Sequence, residues 1–159
     1  MDKKILVQKI LEKAEAERAA LAQAAKNTYE AATHEESEAE DQYDTRGLEA
    51  SYLAGAQAKR VGELEQFILL LRFLEPKNFK ADSPIAATAL AELDHDGKTV
   101  WAFMLPQGGG TSVEFEGHRV QIVTPKSPLG EAIVGRVAGD LALVDTGKET
   151  LEYEIVSVR

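Results

Sequence analysis

Residues 5–31 read ILVQKILEKAEAERAALAQAAKNTYEA, and this stretch decides the fold of the first part of the chain. One series of positions in it is spaced by three and four residues alternately, which is the heptad spacing of a helix that packs along another helix. The pattern predicts one long helix over residues 3–33. Apart from Glu17 and Thr28 the series is apolar, and it comprises Val7, Ile10, Ala14, Glu17, Leu21, Ala24, Thr28 and Ala31.

A second series with the same spacing predicts a partner helix. This helix should end at Glu75-Pro76, because proline disfavours helical geometry in the residue before it and lacks an amide hydrogen. Two helices of similar length with a short connection favour antiparallel pairing, so we predict a coiled-coil hairpin over residues 1–75. The second series comprises Ala50, Leu53, Gln57, Arg60, Leu64, Phe67, Leu71 and Leu74.

The connection between the two predicted helices, residues 34–44, is strongly acidic. A solvated loop is one interpretation of such a charge run. A tip that lends ligands to a divalent cation is the other, since Mg²⁺ prefers oxygen ligands and is usually held by one or two carboxylates together with substrate phosphates. If the second helix begins early, Glu36 and Glu40 lie one turn apart on one face and could approach one ion. The six carboxylates are Glu35, Glu36, Glu38, Glu40, Asp41 and Asp44.

The pattern changes after residue 75. Residues 76–84 are mostly polar, with a proline at each end, and predict a linker. Residues 85–159 contain short apolar runs separated by turn signals, which indicate a small antiparallel β-sheet domain. Within it, Ser127-Pro128 and the later Gly135 predict one short helix, because serine caps a helix, proline suits its first turn and glycine follows its end. The predicted fold class is therefore α+β.

The composition excludes several classes of protein. The chain of 159 residues has no cysteine, which excludes disulfides and thiolate chemistry. Its formal net charge of −9 argues against direct binding to duplex DNA, which requires a basic face. No apolar run approaches the roughly 18 residues of a membrane span, and the start lacks the apolar stretch of a signal peptide. We therefore expect a cytoplasmic location and no membrane partner.

No motif indicates an autonomous active site. The three glycines at 108–110 lack the Lys-Ser/Thr that follows in a phosphate-binding loop, and the three histidines are scattered. An enzyme with its own catalytic centre is disfavoured, and no cofactor is expected to bind the chain alone. The basic side chains of the helical hairpin are candidates for contact with RNA phosphates, with solvent-facing helix charges as the alternative. These candidates are Arg18, Lys59 and Arg60.

The C-terminal region carries a more specific pattern. Residues 124–135 read TPKSPLGEAIVG, and they are followed by Gly139-Asp140 and by EYEIV at 152–156. This succession resembles the bacterial Gre family of transcription elongation and transcript cleavage factors, and the resemblance spans essentially the whole chain. It implies a long N-terminal antiparallel coiled coil, residues 1–75, followed by a small FKBP-like sheet domain, residues 85–159.

The resemblance also implies a partner and a mechanism. Gre factors bind RNA polymerase, insert the coiled coil into its secondary channel and bring tip carboxylates to the active-site Mg²⁺, where the polymerase hydrolyses backtracked RNA. The nascent RNA is thus an indirect partner, and the Mg²⁺ is shared with the polymerase. The tip residues implied for cleavage are Glu36, Glu38, Glu40 and Asp41, with Glu36 and Glu40 as the candidate Mg²⁺ ligands.

The resemblance places polymerase docking in the C-terminal domain, at Ser127, Pro128 and Leu129. These residues also fit a purely local role. Serine before proline suits a helix cap, and the leucine suits packing on a core. Docking and local structure are therefore both open interpretations of this segment.

The acidic tip departs from the family pattern of an Asp, two intervening residues and a Glu ahead of Asn-Ala-Glu-Tyr. With Tyr43 as the anchor, Glu36 stands at the Asp position and Ala39 at the Glu position. A slip of one residue would instead recruit Glu38 or Glu40. The alternative function is therefore a Gre-like factor that occupies the channel and inhibits, or one that modulates initiation as DksA-type factors do.

Overall fold

The computed structural model describes residues 1–33 and 45–159. The chain divides into a helical unit, Leu11–Phe73, and a sheet unit, Met1–Ile10 with Leu74–Arg159. The first turns of the first helix thus belong to the sheet unit. The predicted α+β class is confirmed by the elements, which are α1 (Lys3–Thr33), α2 (Arg46–Phe73), β1 (Leu90–His95), β2 (Lys98–Met104), β3 (Ser112–Phe115), β4 (His118–Val123), α3 (Pro128–Ile133), β5 (Leu141–Asp145) and β6 (Thr150–Val158).

Within the helical unit, α1 and α2 run antiparallel. Glu15 pairs with Arg72 at 2.6 Å, and Arg18 pairs with Glu65 at 3.5 Å. A later residue of α1 thus contacts an earlier residue of α2, as antiparallel helices require. Exposed pairs of this kind contribute at most about 1 kcal/mol each, and the paired helices depend mainly on their apolar seam. No helix in the described ranges is long and apolar enough to cross a membrane.

In α2, Leu53 is 54% exposed and Arg60 is exposed, whereas Ala54 is only 7% exposed. This exposure pattern fits a second heptad series that shares Gln57, Leu64 and Leu71 with the predicted one. The second series has Ala54 in place of Leu53 and Val61 in place of Arg60. Burying the Arg60 guanidinium without a partner would be costly, whereas alanine and valine carry no such penalty. The members of the shifted series, all buried or half-buried, are Ala54, Gln57, Val61, Leu64, Ile68 and Leu71. Phe67 and Leu74 of the predicted series are also buried and half-buried, so among the described side chains the departure is confined to Leu53 and Arg60.

The sheet of the second unit has six strands in the order β3-β4-β2-β1-β6-β5. Five strand pairs hold it together, and four of them are antiparallel as predicted. The exception is β2 with β4, which pair in parallel, so the sheet is mixed. The chain crosses to the sheet edge after β2, forms β3 there and turns back at Glu116-Gly117, which brings β4 alongside β2 in the same direction.

One face of the sheet carries the hydrophobic core of this unit. Side chains from β1, β2 and β6 meet α3 there, and Leu129 packs against the cluster from the helix. Full burial of an aliphatic side chain contributes about 1.5–3 kcal/mol relative to exposure, so this cluster dominates the stability of the unit. Its fully buried members include Ala89, Ala91, Leu93, Met104, Ile133, Ala142 and Ile155.

Lys3, at the start of α1, contacts other residues of the sheet unit. Its Nζ donates to the carbonyl oxygen of Thr88 at 3.1 Å and to that of Lys77, and it lies 4.6 Å from the centre of the Phe79 ring. Burial lowers the pKa of Lys3 below its ordinary value. Asp2 caps the helix, because its carboxylate accepts from the amide of Lys4 at 2.8 Å.

Candidate functional site

The predicted acidic tip lies outside the described residues. This applies to Glu36, Glu38, Glu40 and Asp41, and therefore to the predicted one-turn spacing of Glu36 and Glu40. The structure describes the two helix ends that flank the tip, Thr33 and Arg46. Within residues 1–33 and 45–159, no group of three or more His, Asp or Glu side chains could hold a metal ion.

The start of α2 is built by a local capping arrangement. The hydroxyl of Thr45 donates to a carboxylate oxygen of Glu49 at 3.0 Å, and the amide of Glu49 donates to the carbonyl of Thr45 at 2.9 Å. Glu49 also lies in the first turn, where a negative charge is favourable to the helix dipole. These contacts define the helix end that follows the acidic tip.

Two of the three basic residues proposed to contact RNA, Arg18 and Arg60, form ion pairs with carboxylates on the helices. Arg18 is 3.5 Å from Glu65, and Arg60 is 3.4 Å from Glu17 and 3.2 Å from Glu63. Lys59 is exposed. Any RNA phosphate at Arg18 or Arg60 would compete with these glutamates, so contact with RNA by these residues stays a prediction.

The candidate docking segment is a tightly bonded cap on α3. The hydroxyl of Ser127 accepts from the amides of Thr124 and Gly130, both at 3.2 Å, and donates to the carbonyl of Thr124 at 2.8 Å. Pro128 occupies the first turn and is exposed, while Leu129 packs partly on the core. The local roles of Ser127 and Leu129 are thus present in the structure, and docking by this segment stays a prediction.

Gly130 is a residue that sequence reasoning missed. A Cβ at this position would lie 1.9 Å from the carbonyl oxygen of Thr124, so only glycine fits the close approach of the helix to this backbone. The φ angle of Gly130 is not in the left-handed region, and no turn pattern marks it. The available signal was its place inside a six-residue helix, where glycine is unfavourable unless packing requires it.

Replacement of Ser127 by alanine is expected to lower the free energy of unfolding of the sheet unit by about 1–2 kcal/mol, because two amides lose their acceptor. Urea unfolding followed by the fluorescence of Trp101, the one tryptophan of the chain, measures this change. Ser127→Thr keeps the hydroxyl and should recover most of the loss. A change below about 0.5 kcal/mol in Ser127→Ala would mean that the cap contributes little.

Comparison with known proteins gives relatives of one kind. Transcription elongation factor GreA of Chlorobaculum parvum is 26% identical over 131 residues, which cover 81% of this chain and 76% of that protein. GreA of Chlorobaculum tepidum is 25% identical over 131 residues, which again cover 81% of this chain and 76% of that protein. No protein-family model matches the chain.

Solved structures of the same kind also align with the chain. GreA factor homolog 1 (Gfh1) of Thermus thermophilus covers 96% of this chain and 94% of its own, with 21% identity and a TM-score of 0.38. The GreA/GreB factor of Nitrosomonas europaea covers 60% of this chain and 78% of its own, with 15% identity and a TM-score of 0.37. In its sequence, including the motif at 124–135, the chain is thus similar to transcription elongation factors of the GreA kind.

Proposed function

We propose that this protein acts with RNA polymerase as a transcription elongation factor that stimulates cleavage of backtracked RNA. The observation that carries the proposal is the alignment of 131 residues, most of the chain, with two proteins named transcription elongation factor GreA. The alignment covers 81% of this chain and 76% of each relative. The catalytic centre in this proposal is that of the polymerase, and the protein is its cofactor.

The helices are long enough for such a function. The 31 residues of α1 span about 45 Å at roughly 1.5 Å per residue. Ion pairs between α1 and α2 at Glu15, Glu17 and Arg18 connect the two helices along the described part of the hairpin. A paired helix of this length could carry an acidic connection into a narrow channel.

The chemistry of the tip fits a shared Mg²⁺. Carboxylates are the ligands that this ion prefers, and Glu36 and Glu40 are the residues that would hold it together with the polymerase. A second Mg²⁺ in phosphoryl chemistry helps to stabilise the attacking and leaving oxygens. In the proposal, Glu38 and Asp41 lie close enough in sequence to orient the attacking water or to replace either ligand.

One feature of the sequence favours a second candidate function. Ala39 stands at a position where the family pattern has a glutamate, so one of the two expected acids is absent when Tyr43 is the anchor. A tip with one acid could occupy the channel without completing the metal site. The second candidate is therefore a secondary-channel regulator that inhibits or modulates transcription without stimulating cleavage.

The experiment that separates these functions is RNA cleavage in a stalled, backtracked elongation complex with the matching polymerase and Mg²⁺. Faster cleavage on addition of the protein supports the cleavage cofactor. Slower cleavage, together with competition against a known channel-binding factor, supports the regulator. No binding to the polymerase at micromolar protein would contradict both.

A further inference from the structure

The outer face of the last two strands carries three aliphatic side chains in contact with solvent. In β5 the exposed and buried residues alternate, with Ala142 and Val144 buried and Leu141 and Leu143 directed to the other face. Leu141 is 50% exposed and Leu143 is 59% exposed. Because β5 ends the strand order, this apolar row lies at an edge of the sheet.

The neighbouring strand places acids opposite these leucines. In the antiparallel register of β5 and β6, Leu141 is opposite Glu154 and Leu143 is opposite Glu152. Directly opposed residues lie on the same face, with Cβ atoms about 4.5–5.5 Å apart. Both glutamates are exposed, so each leucine has a carboxylate beside it.

The third aliphatic residue lies at a β-bulge. Glu92 is opposite Ser157 and the next residue of β1, Leu93, is opposite Ile155, which leaves Val156 as the extra residue of β6. Bulges redirect side chains and recur beside functional surfaces. Val156 is 49% exposed, and it lies two residues after Glu154 along β6, on the same face. We call Leu141, Leu143, Glu152, Glu154 and Val156 the acidic apolar face.

The same side of the sheet is buried at its other end. Glu154 is opposite Asp94 of β1, and Asp94 is opposite Thr99 of β2. Trp101, two residues after Thr99, therefore lies on the same side, as does its partner Val120 of β4, and both are buried. Between these parts Glu92 and Asp94 of β1 are half-buried, so the acidic apolar face is the exposed end of a sheet side that is buried over part of β2 and β4. Exposed aliphatic residues on an edge strand favour aggregation, so their retention is best explained by a partner that covers them.

The charges of the face select the chemistry of that partner. Covering Glu152 and Glu154 with an apolar surface would desolvate two carboxylates without compensation. Nucleic acid is disfavoured because its phosphates would meet these carboxylates. A protein surface with an aliphatic centre and surrounding Lys or Arg side chains satisfies both the leucines and the glutamates.

We infer that the acidic apolar face is a docking surface for a basic, aliphatic-centred protein surface on RNA polymerase. The inference rests on the proposed function, since that function supplies the partner. It adds a contact on β5 and β6 to the predicted docking segment at Ser127, Pro128 and Leu129.

The test is the affinity of the full chain for the matching core RNA polymerase. Leu141→Ser with Leu143→Ser should weaken binding at least about tenfold, because it removes the apolar centre. Glu152→Lys with Glu154→Lys should weaken binding about 3- to 10-fold at low salt and make it less salt-dependent. Asp82→Lys with Glu114→Lys makes the same charge change at exposed sites elsewhere and should remain within about twofold of wild type.

Folding controls and the oligomeric mass complete the test. Trp101 fluorescence and thermal unfolding establish that each variant is folded, which is expected because the altered side chains are exposed. Wild-type affinity in both face variants would overturn the inference and leave the proposed function standing. A changed oligomeric mass in Leu141→Ser with Leu143→Ser, with unchanged polymerase affinity, would assign the face to a second copy and also overturn it. No binding by the wild-type chain would overturn the proposed function and the inference together.

Discussion

Replacement of Gly130 by alanine is expected to lower the free energy of unfolding of the sheet unit by about 3 kcal/mol or more. The added Cβ would lie 1.9 Å from the carbonyl oxygen of Thr124 and 2.7 Å from its carbonyl carbon. Both are backbone atoms, so no side-chain rotation relieves the overlap. It would also lie 2.8 Å from the hydroxyl of Ser127, so the movement that admits it disturbs the helix cap as well.

Urea unfolding measured by Trp101 fluorescence and by far-ultraviolet circular dichroism checks this expectation. Gly62→Ala is the matched control, since a Cβ at Gly62 would meet no described atom within 4 Å. Gly62 lies inside α2, where alanine is favoured over glycine by about 1 kcal/mol, so the control should be neutral or stabilising. A Gly130→Ala protein within about 1 kcal/mol of wild type would contradict the close approach of α3 to Thr124.

Replacement of all four candidate tip acids by alanine is expected to reduce stimulated RNA cleavage at least about tenfold, toward the rate of polymerase alone. The reason is that alanine supplies neither a ligand for Mg²⁺ nor an acceptor for water. Binding to the polymerase should change much less, since the predicted docking residues lie in the sheet unit. The variant combines Glu36→Ala, Glu38→Ala, Glu40→Ala and Asp41→Ala.

The measurement compares cleavage rates in the backtracked complex at saturating protein. The control carries four exposed acids replaced by alanine elsewhere, Glu75, Asp82, Glu114 and Glu149, which gives the same change in net charge. This control should cleave as wild type does. Undiminished cleavage in the tip variant would remove the acids from the mechanism, and relief of an inhibition by the same variant would favour the regulator.

Local signals in the sequence were sufficient for the regular elements. The heptad spacing correctly predicted a helix over residues 3–33, and Ser127-Pro128 with Gly135 correctly predicted α3. These predictions succeed because periodicity, capping and helix termination depend on residues within a few positions of one another. The most specific part of the family resemblance includes the same segment, residues 124–135, together with Gly139-Asp140 and residues 152–156.

Predictions that needed a partner element were less accurate. The seam of α2 was expected at Leu53 and Arg60 but lies at Ala54, because two heptad series share half of their positions. Only the burial of each side chain distinguishes them. The parallel pairing of β2 with β4 depends on where the chain crosses the sheet, which no local pattern records.

The candidate site divides in the same way. The sequence by itself determined the acidic connection, the long helices that flank it and the motif that resembles the Gre family, since each is a matter of composition or spacing. Only the tertiary structure decided that Gly130 must be glycine and that Leu141, Leu143 and Val156 share an exposed face with Glu152 and Glu154. Close backbone approach and strand register join residues that are distant or differently spaced in sequence, and they exist only once the chain is folded.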